Sequence, residues 1–414
     1  MKPEVITTET IKAFEEAFYA EERTPQQIKA FEAFREIGFP SKKSEEYRFT
    51  PIGKFLEANF DLSLYGHIPL NQSQSEIGNQ SLAINICNGH VFLSEAEFKS
   101  AGIAIAIDVN RQEPFSSDPF LLLNNAFLGK EIKIEIPANL KVEKSIHINH
   151  LMDSEGVQVM LNASVSVVLH ENASCQIIEM FQSSGINPVF TNIAAQYTLH
   201  QGSQLDYFRL QDDATTYQVY NSLVKQVGKS VVNSFVFSLD GNVVRNNSIF
   251  SIEEEFCKSN FYGLYFPNEK SLIDNHTVAD HKKANCVSNE LYKGIIGDQG
   301  KGVFNGKIYV RPDAQKTNAF QSNRNILLSD SATINTKPQL EIWADDVKCS
   351  HGCTTGQIDK EALFYLQSRG ISQEQAKSML LMAFAYEVIN KVEDEDLRKR
   401  IEQLVSSRLQ QQFQ

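Results

Sequence analysis

The 414-residue sequence predicts a mainly β protein, a β-solenoid flanked by helical regions at both ends. Two observations lead there: a division of the chain into three compositional zones, and a degenerate repeat inside the middle one. In that zone, roughly residues 101–348, short β-favouring runs dominate. Val165 to Leu169, Val231 to Phe237, Phe261 to Phe266 and Lys307 to Val310 are examples, punctuated at short intervals by Asn, Gly, Asp and Ser, with almost no helical patterning between them. Leu169-His170-Glu171-Asn172-Ala173-Ser174 matches Leu199-His200-Gln201-Gly202-Ser203-Gln204 at an offset of 30. Further on, Ile308-Tyr309-Val310 leads through Asp313 to Ala314. Ile326-Leu327-Leu328 leads through Ser331 to Ala332, and Ile342-Trp343 through Asp346 to Val347, with last-position offsets of 18 and 15. Stacked coils produce this pattern, each burying its inward residues against its neighbours. The hairpins of a β-sandwich would imitate it.

The first zone, residues 1–100, opens helically: Ile11, Phe14 and Phe18 keep one face. Thr24-Pro25-Gln26-Gln27 reads as a helix start, with Thr24 as N-cap, Pro25 as first helical residue and Gln27 as capping-box partner. Ile28, Phe31 and Phe34 continue that helix until Gly38-Phe39-Pro40-Ser41 breaks it. Residues 63–80, rich in Ser, Asn, Gln and Gly, read as a loop or mobile connection. The β core is bounded at 101–356. A C-terminal helical region, 357–414, follows: Asp359 caps Lys360 to Arg369, Gly370 ends that helix, Ser372 and Gln375 form a second capping box, and Leu397, Ile401, Leu404 and Val405 make one apolar stripe. The tail Gln410-Gln411-Gln412 is expected to fray.

Composition narrows the function. The chain is 42% apolar and 22% charged, with 39 basic against 51 acidic residues and a net charge of −12. That balance argues against non-specific binding to nucleic acid or anionic membranes, both of which require a basic surface. No apolar run reaches the ~18 residues of a membrane span, and Met1-Lys2-Pro3-Glu4-Val5 carries no export signal, so a cytoplasmic location with reduced thiols is expected for the six cysteines. There is no G-x-S-x-G elbow, P-loop, G-x-G-x-x-G or H-E-x-x-H motif. These absences weigh against a conventional enzyme.

Chemistry concentrates at Lys348-Cys349-Ser350-His351-Gly352-Cys353. Thiolate and imidazole suit iron–sulfur clusters and zinc. On an extended strand Cys349, His351 and Cys353 share a face, and Gly352 would allow close backbone approach. Cys-x-His-x-Cys is not a zinc-site spacing, and any metal here needs ligands from elsewhere in the fold or from another chain. Asp274-Asn275-His276-Thr277 with His281 and Cys286 either lines the same face or supplies hydrogen-bonded structural residues. Cys87, Cys175 and Cys257 read as core, and His170 and His200 as solvent-facing. Asp345-Asp346 is a paired carboxylate, but neighbours on a strand point to opposite faces, so it makes a poor acid–base couple.

The run Thr336-Lys337-Pro338-Gln339-Leu340-Glu341-Ile342-Trp343-Ala344-Asp345-Asp346-Val347-Lys348-Cys349-Ser350-His351-Gly352 resembles the signature of the SufB/SufD family of iron–sulfur cluster assembly scaffold proteins. So do Phe320 to Ser329 before it, Leu363 to Ile371 after it, and Gly38-Phe39-Pro40 through Glu45-Glu46-Tyr47-Arg48-Phe49-Thr50, where Tyr47 stands in place of a common tryptophan. The Lys348-Cys349-Ser350-His351-Gly352 form is similar to the SufD branch, and Ser331 to Thr336 lacks the cysteine-bearing segment of SufB. Cys353 departs from the family, where a small alanine is usual; it either adds a ligand or fills space. The resemblance implies a right-handed parallel β-helix with helical flanks, pairing with a SufB-like paralogue, and binding of a SufC-like ATPase through Leu363, Phe364, Tyr365, Arg369 and Gly370. It further implies support of cluster assembly and iron acquisition, with an iron–sulfur cluster held transiently at the SufB interface by His351, Cys349 taking a lesser role, and no cofactor expected in the isolated chain. A metal-free homodimeric β-helix protein, or a β-helix carbohydrate-active enzyme using Asp345 or Asp346, are the alternatives.

Overall fold

The computed structural model describes residues 3–40, 44–50, 60, 82–108, 118–155 and 158–411. The loop expected at 63–80, Ser41 and Gln412 lie outside them. Among the described residues, nineteen strands form two sheets, one of ten and one of nine. From β4 (Glu131–Ile136) onward, successive strands alternate between the sheets, and each pairs in parallel with the strand two places along. One coil is therefore two strands and two corners. Tyr217 pairs with Val243 and Glu131 with Ser164, so coil length varies from 26 to 33 residues. About seven such turns build a parallel β-solenoid. The parallel pairing rules out the sandwich.

The repeats have a direct structural meaning. Leu169 and Leu199 are register partners, and the His170 and His200 rings stack beside them at 5.4 Å, both half-exposed. The shorter offsets are half-coils. Ala314, Ala332 and Val347 sit at consecutive corners between β16 (Lys301–Val310), β17 (Asn318–Leu327), β18 (Thr333–Ile342) and β19 (Lys348–Gly356).

Alternate residues of both sheets enter one lumen. Its early coils are aliphatic: Ile84, Ile132, Ile148, Val165 and Val167 are buried there. Further along lies a polar network. Glu179 accepts hydrogen bonds from Tyr207 at 2.6 Å and Tyr220 at 2.5 Å and pairs with His150 at 2.6 Å; Arg209 donates to the Tyr207 hydroxyl and to Asn246. A buried guanidinium is tolerable because an anion and several acceptors surround it. Cys87, Cys175 and Cys257 are buried, as core residues should be.

The ends of the rod differ. At the N-terminal end β1 (Leu82–Cys87) forms an antiparallel hairpin with β2 (His90–Leu93), a short helix, Glu95–Ser100, buries Phe98, and β3 (Ala104–Asp108) runs antiparallel to β4. The solenoid thus begins before residue 101; the alternation Leu82, Ile84, Ile86 was hidden behind the polar stretch that precedes it. A helix, Pro119–Phe127, also interrupts the zone read as strands. Asp118 accepts from the Phe120 and Leu121 N–H groups and Pro119 opens the helix, yet Phe120-Leu121-Leu122-Leu123 is apolar all round, a pattern that periodicity does not separate from a buried strand.

Helices α1 (Pro3–Tyr19) and α2 (Pro25–Ile37) bring Phe14, Phe18, Phe31 and Phe34 against Phe127 of that helix. Thr24 and Gln27 form the expected capping box. The turn Glu45–Tyr47 then straps across the outer face of the nine-stranded sheet. Glu46 pairs with Lys307 at 2.6 Å and His276 at 3.3 Å, Glu45 pairs with Lys337, Tyr47 donates to Asp118, and Thr50 donates to Asp274. The Arg245 guanidinium lies 3.9 Å from the Tyr47 ring centre and pairs with Asp274 at 2.5 Å.

On the opposite face, C-terminal helices pack against the ten-stranded sheet. In Gln373–Ile389 the buried residues are Ala376, Leu381, Ala385, Val388 and Ile389; in Glu395–Gln411, Leu397, Ile401, Val405 and Leu409 are buried, with Leu404 partly so. These helices cover Phe208, Phe235, Phe237 and Leu264. Asp359 and Ser372 act as N-caps. Among the described residues no helix is long and apolar enough to cross a membrane.

Two outcomes follow. The imidazole of His276 and then the Lys307 ammonium hold the Glu46 carboxyl at about 2, against 4.5 for the free group. Its contribution to stability is therefore complete above pH 4.5 and is lost as pH falls toward 2. Glu46 is half-exposed, so the gain is at most about 1 kcal/mol. The urea-midpoint difference between the native chain and Glu46→Gln should shrink across that acid range and stay constant at neutral pH. Ile401→Ala should cost about 2–5 kcal/mol, read as faster hydrogen exchange confined to the last two helices and the sheet face beneath them.

Candidate functional site

The Cys/His segment is strand β19, the last of the ten-stranded sheet. Among the described residues it pairs only with β17, placing Cys349 beside Ala319, His351 beside Gln321 and Cys353 beside Asn323. Ala319, Gln321 and Asn323 are buried in the lumen. The three candidate ligands therefore share the inward face, as period-two alternation predicts. Inward here means toward an open mouth. No described element stacks on β19 or on β18, its counterpart in the nine-stranded sheet, so His351 and Cys353 are exposed and Cys349 is half-buried.

Across the mouth, the Cys353 thiol lies 2.7 Å from the Thr336 hydroxyl of β18. Burial pushes the Cys349 thiol up. A Cβ added at Gly352 would meet nothing within 4 Å among the described residues. Successive inward residues on a strand are ~6.6 Å apart. Consistently, no three His, Cys, Asp or Glu side chains among the described residues converge closely enough to hold a metal ion. The mouth presents candidate ligand side chains, and among the described residues they form no closed metal site.

Other sequence candidates lie elsewhere. Asp274 and His276 point outward and belong to the strap, their side chains 2.9 Å apart. Asn275 and His281 are buried; His281 bonds Ser288 at 2.9 Å, and burial lowers its pKa to about 4, which keeps it neutral. Cys286 stacks on Cys257 at a corner with Ile252. Asp345 and Asp346 are exposed on the last corner, where the Asp346 backbone N–H donates to Gln315 and its carbonyl accepts from the Lys316 N–H. Adjacent in the chain, they make a poor acid–base couple.

The helix Lys360–Ser368 has no buried residue. Phe364 is 72% and Tyr365 57% exposed, Leu363 is half-buried, and Arg369 and Gly370 close the exposed surface, with the Arg369 guanidinium 5.3 Å from the Tyr365 ring centre. Residues missed from sequence include Gln321 and Thr336, whose roles depend on register. Pro338 gave a readable signal: a proline within a strand marks an edge. Also unforeseen is a cleft of about 830 Å³ beside the C-terminal helices. It is floored by an asparagine ladder in which Asn289 donates to Asn260, Asn260 to Asn233, and Asn233 to Asp206.

Two family descriptions match the sequence: the SufBD core domain of SUF-system FeS cluster assembly over residues 150–384, and the SufBD protein N-terminal region over residues 9–79. The chain is similar to the iron–sulfur cluster assembly protein SufD of Escherichia coli, with 30% identity covering 94% of this chain and 93% of that protein. A SufBD family protein of Synechocystis is 32% identical over 72% of this chain and 68% of its own length. Another, from Mycobacterium leprae, is 33% identical over 46% and 50%.

Burial ranks the thiols. A maleimide reagent should label Cys353 first and Cys349 more slowly in the native chain, leaving Cys87, Cys175, Cys257 and Cys286 unmodified until unfolding. Mass spectrometry of tryptic peptides reads the order directly.

Proposed function

The chain belongs to the SufBD family of iron–sulfur cluster assembly proteins, and from that premise we propose that it works as the SufD-type half of a two-rod scaffold. One observation carries the reading: the solenoid is capped at its N-terminal end but open at the other, and the open end presents Cys349, His351 and Cys353 on its inward face. Unpaired edge strands invite pairing. A SufB-like paralogue docked against β18 and β19 would bury these residues and add the ligands that this chain lacks. The cluster is cargo. His351 serves as a ligand and Cys349 as its neighbouring thiol, and an imidazole in place of a thiolate changes cluster charge in a way that suits release. The chain itself performs no catalysis, holds no cofactor when alone, and acts in the cytoplasm in cluster assembly and iron acquisition.

The exposed helix with Leu363, Phe364 and Tyr365, closed by Arg369 and Gly370, is the docking handle for a SufC-like ATPase. Exposed aromatics on a short helix match the anchors that dominate protein interfaces. ATP-driven closure of two such subunits would pull on the C-terminal helices, which are bolted to the ten-stranded sheet, and open the rod interface. A second copy of this chain is the alternative occupant of the same open edges.

His351→Ala should abolish or reduce at least tenfold the cluster absorbance obtained on anaerobic reconstitution of the assembled complex, while leaving the circular dichroism spectrum and co-purification with the paralogue unchanged. Full cluster yield in that variant overturns the assignment. Phe364→Ala with Tyr365→Ala should weaken ATPase co-purification at least tenfold without touching the rod pairing; unaltered ATPase binding moves the handle elsewhere.

A further inference from the structure

The lumen beneath the open mouth contains a buried oxygen without a partner. Glu290, Gln321 and His351 occupy the same inward position on three successive coils, Glu290 in register with Gln321 and Gln321 in register with His351. Glu290 is 4% exposed and Gln321 3%. One carboxylate oxygen of Glu290 accepts from the Thr277 hydroxyl at 2.5 Å, and the other accepts from Gln321 Nε2 at 2.7 Å. The carboxylate therefore fixes the orientation of the amide: its NH₂ end turns down into the lumen, and its carbonyl end is what remains. Gln321 Oε1 is buried and has no hydrogen-bond partner.

The facing strand is cleared to accommodate this arrangement. Gly306 of β16 stands where a Cβ would come within 2.2 Å of Gln321 Nε2. Buried carbonyl oxygens are seldom left without a donor. The next side chain in the column is His351, and a neutral imidazole has one N–H to give. Histidines that bind metals characteristically donate the other ring N–H to a carbonyl or carboxylate, which fixes the tautomer and aims the free lone pair.

We propose that Gln321, and through it Glu290, are positioning residues for His351: Gln321 Oε1 accepts one imidazole N–H and so presents the lone pair of the other ring nitrogen at the open mouth. This deepens the reading of His351 as a cluster ligand and rests on it. Glu290 holds the amide and Gln321 holds the ring, so half of the ligand geometry is built before any partner arrives. Burial raises the Glu290 carboxyl to about 7, with Thr277 and Gln321 pulling the other way, so the arrangement is firmest on the alkaline side of neutrality.

The test uses the full-length, metal-free chain labelled with ¹⁵N at its nine histidines, at mildly alkaline pH. Two-bond ¹⁵N–¹H correlation spectra report which ring nitrogen carries the proton, and the His351 signals are assigned by their loss in His351→Asn. One dominant His351 tautomer is expected in the native chain. Gln321→Met, which keeps length and removes the acceptor, should return His351 to the mixture of a free imidazole, and Gly306→Ala, which displaces the amide, should do so in part. Unchanged signals of His170 and His200, on distant coils, serve as the fold check for each variant. A mixed tautomer in the native chain, or an unaltered one in Gln321→Met, overturns the proposal. The measurement involves no iron or sulfide. A failure of His351→Ala to affect cluster assembly would remove the ligand reading while leaving this hydrogen bond intact, and the reverse result would do the opposite.

Discussion

In-register parallel stacking is the constraint on which the other features rest. Each coil takes its hydrogen bonds and its side-chain column from the coil beneath it, so position in the lumen is inherited from rung to rung. Asn233, Asn260 and Asn289 form an outer ladder in this way, and Glu290, Gln321 and His351 form an inner column. Stacking also creates an edge problem at both ends. The N-terminal end solves it within the chain, through the hairpin of β1 and β2 and the buried Phe98. The other end does not. Its edge strand β19 carries Cys349, His351 and Cys353, the residues proposed to meet the cluster.

The two outer faces of the rod are used differently. One receives the N-terminal strap, whose contacts are ionic and aromatic: Glu46 with His276 and Lys307, Tyr47 beneath Arg245. The other receives the C-terminal helices through an apolar contact built on Phe208, Phe235 and Leu264. This apolar clamp is pinned by ion pairs from Glu387 to Lys293 and Arg324 and from Arg408 to Asp212 and Asp240. It connects the exposed helix at Lys360–Ser368 to the sheet that ends in β19. A pull on the helices therefore reaches the strand carrying His351 through packed elements.

Much of this was legible in the sequence, for reasons that can be stated. Thr24, Pro25 and Gln27 announce a helix because capping is local chemistry. The offset of 30 between Leu169 and Leu199 is visible because corner residues repeat, and it proved to be one coil. The shared face of Cys349, His351 and Cys353 follows from strand periodicity alone. What could not be read depends on packing or register. Within Pro119–Phe127 the unbroken apolar run Phe120 to Leu123 gives no helical stripe. The strands at Leu82–Cys87 and His90–Leu93 are short and follow a polar stretch. Gln321 looks like any glutamine until the register sets it between Glu290 and His351. Spacing alone says that Cys349, His351 and Cys353 would need ligands from elsewhere to hold a metal; that they sit at an uncapped end required the topology.

The account turns on β18 and β19 being an edge that another rod completes. Hydrogen–deuterium exchange of the backbone across Thr333–Ile342 and Lys348–Gly356 tests this most directly, with the chain measured alone and then with a SufB-like paralogue added. Exchange on these strands should slow at least tenfold on pairing, while the capped hairpin at Leu82–Leu93 stays unchanged. Protection appearing at the hairpin or on the strap, with β19 still exchanging freely, would contradict it.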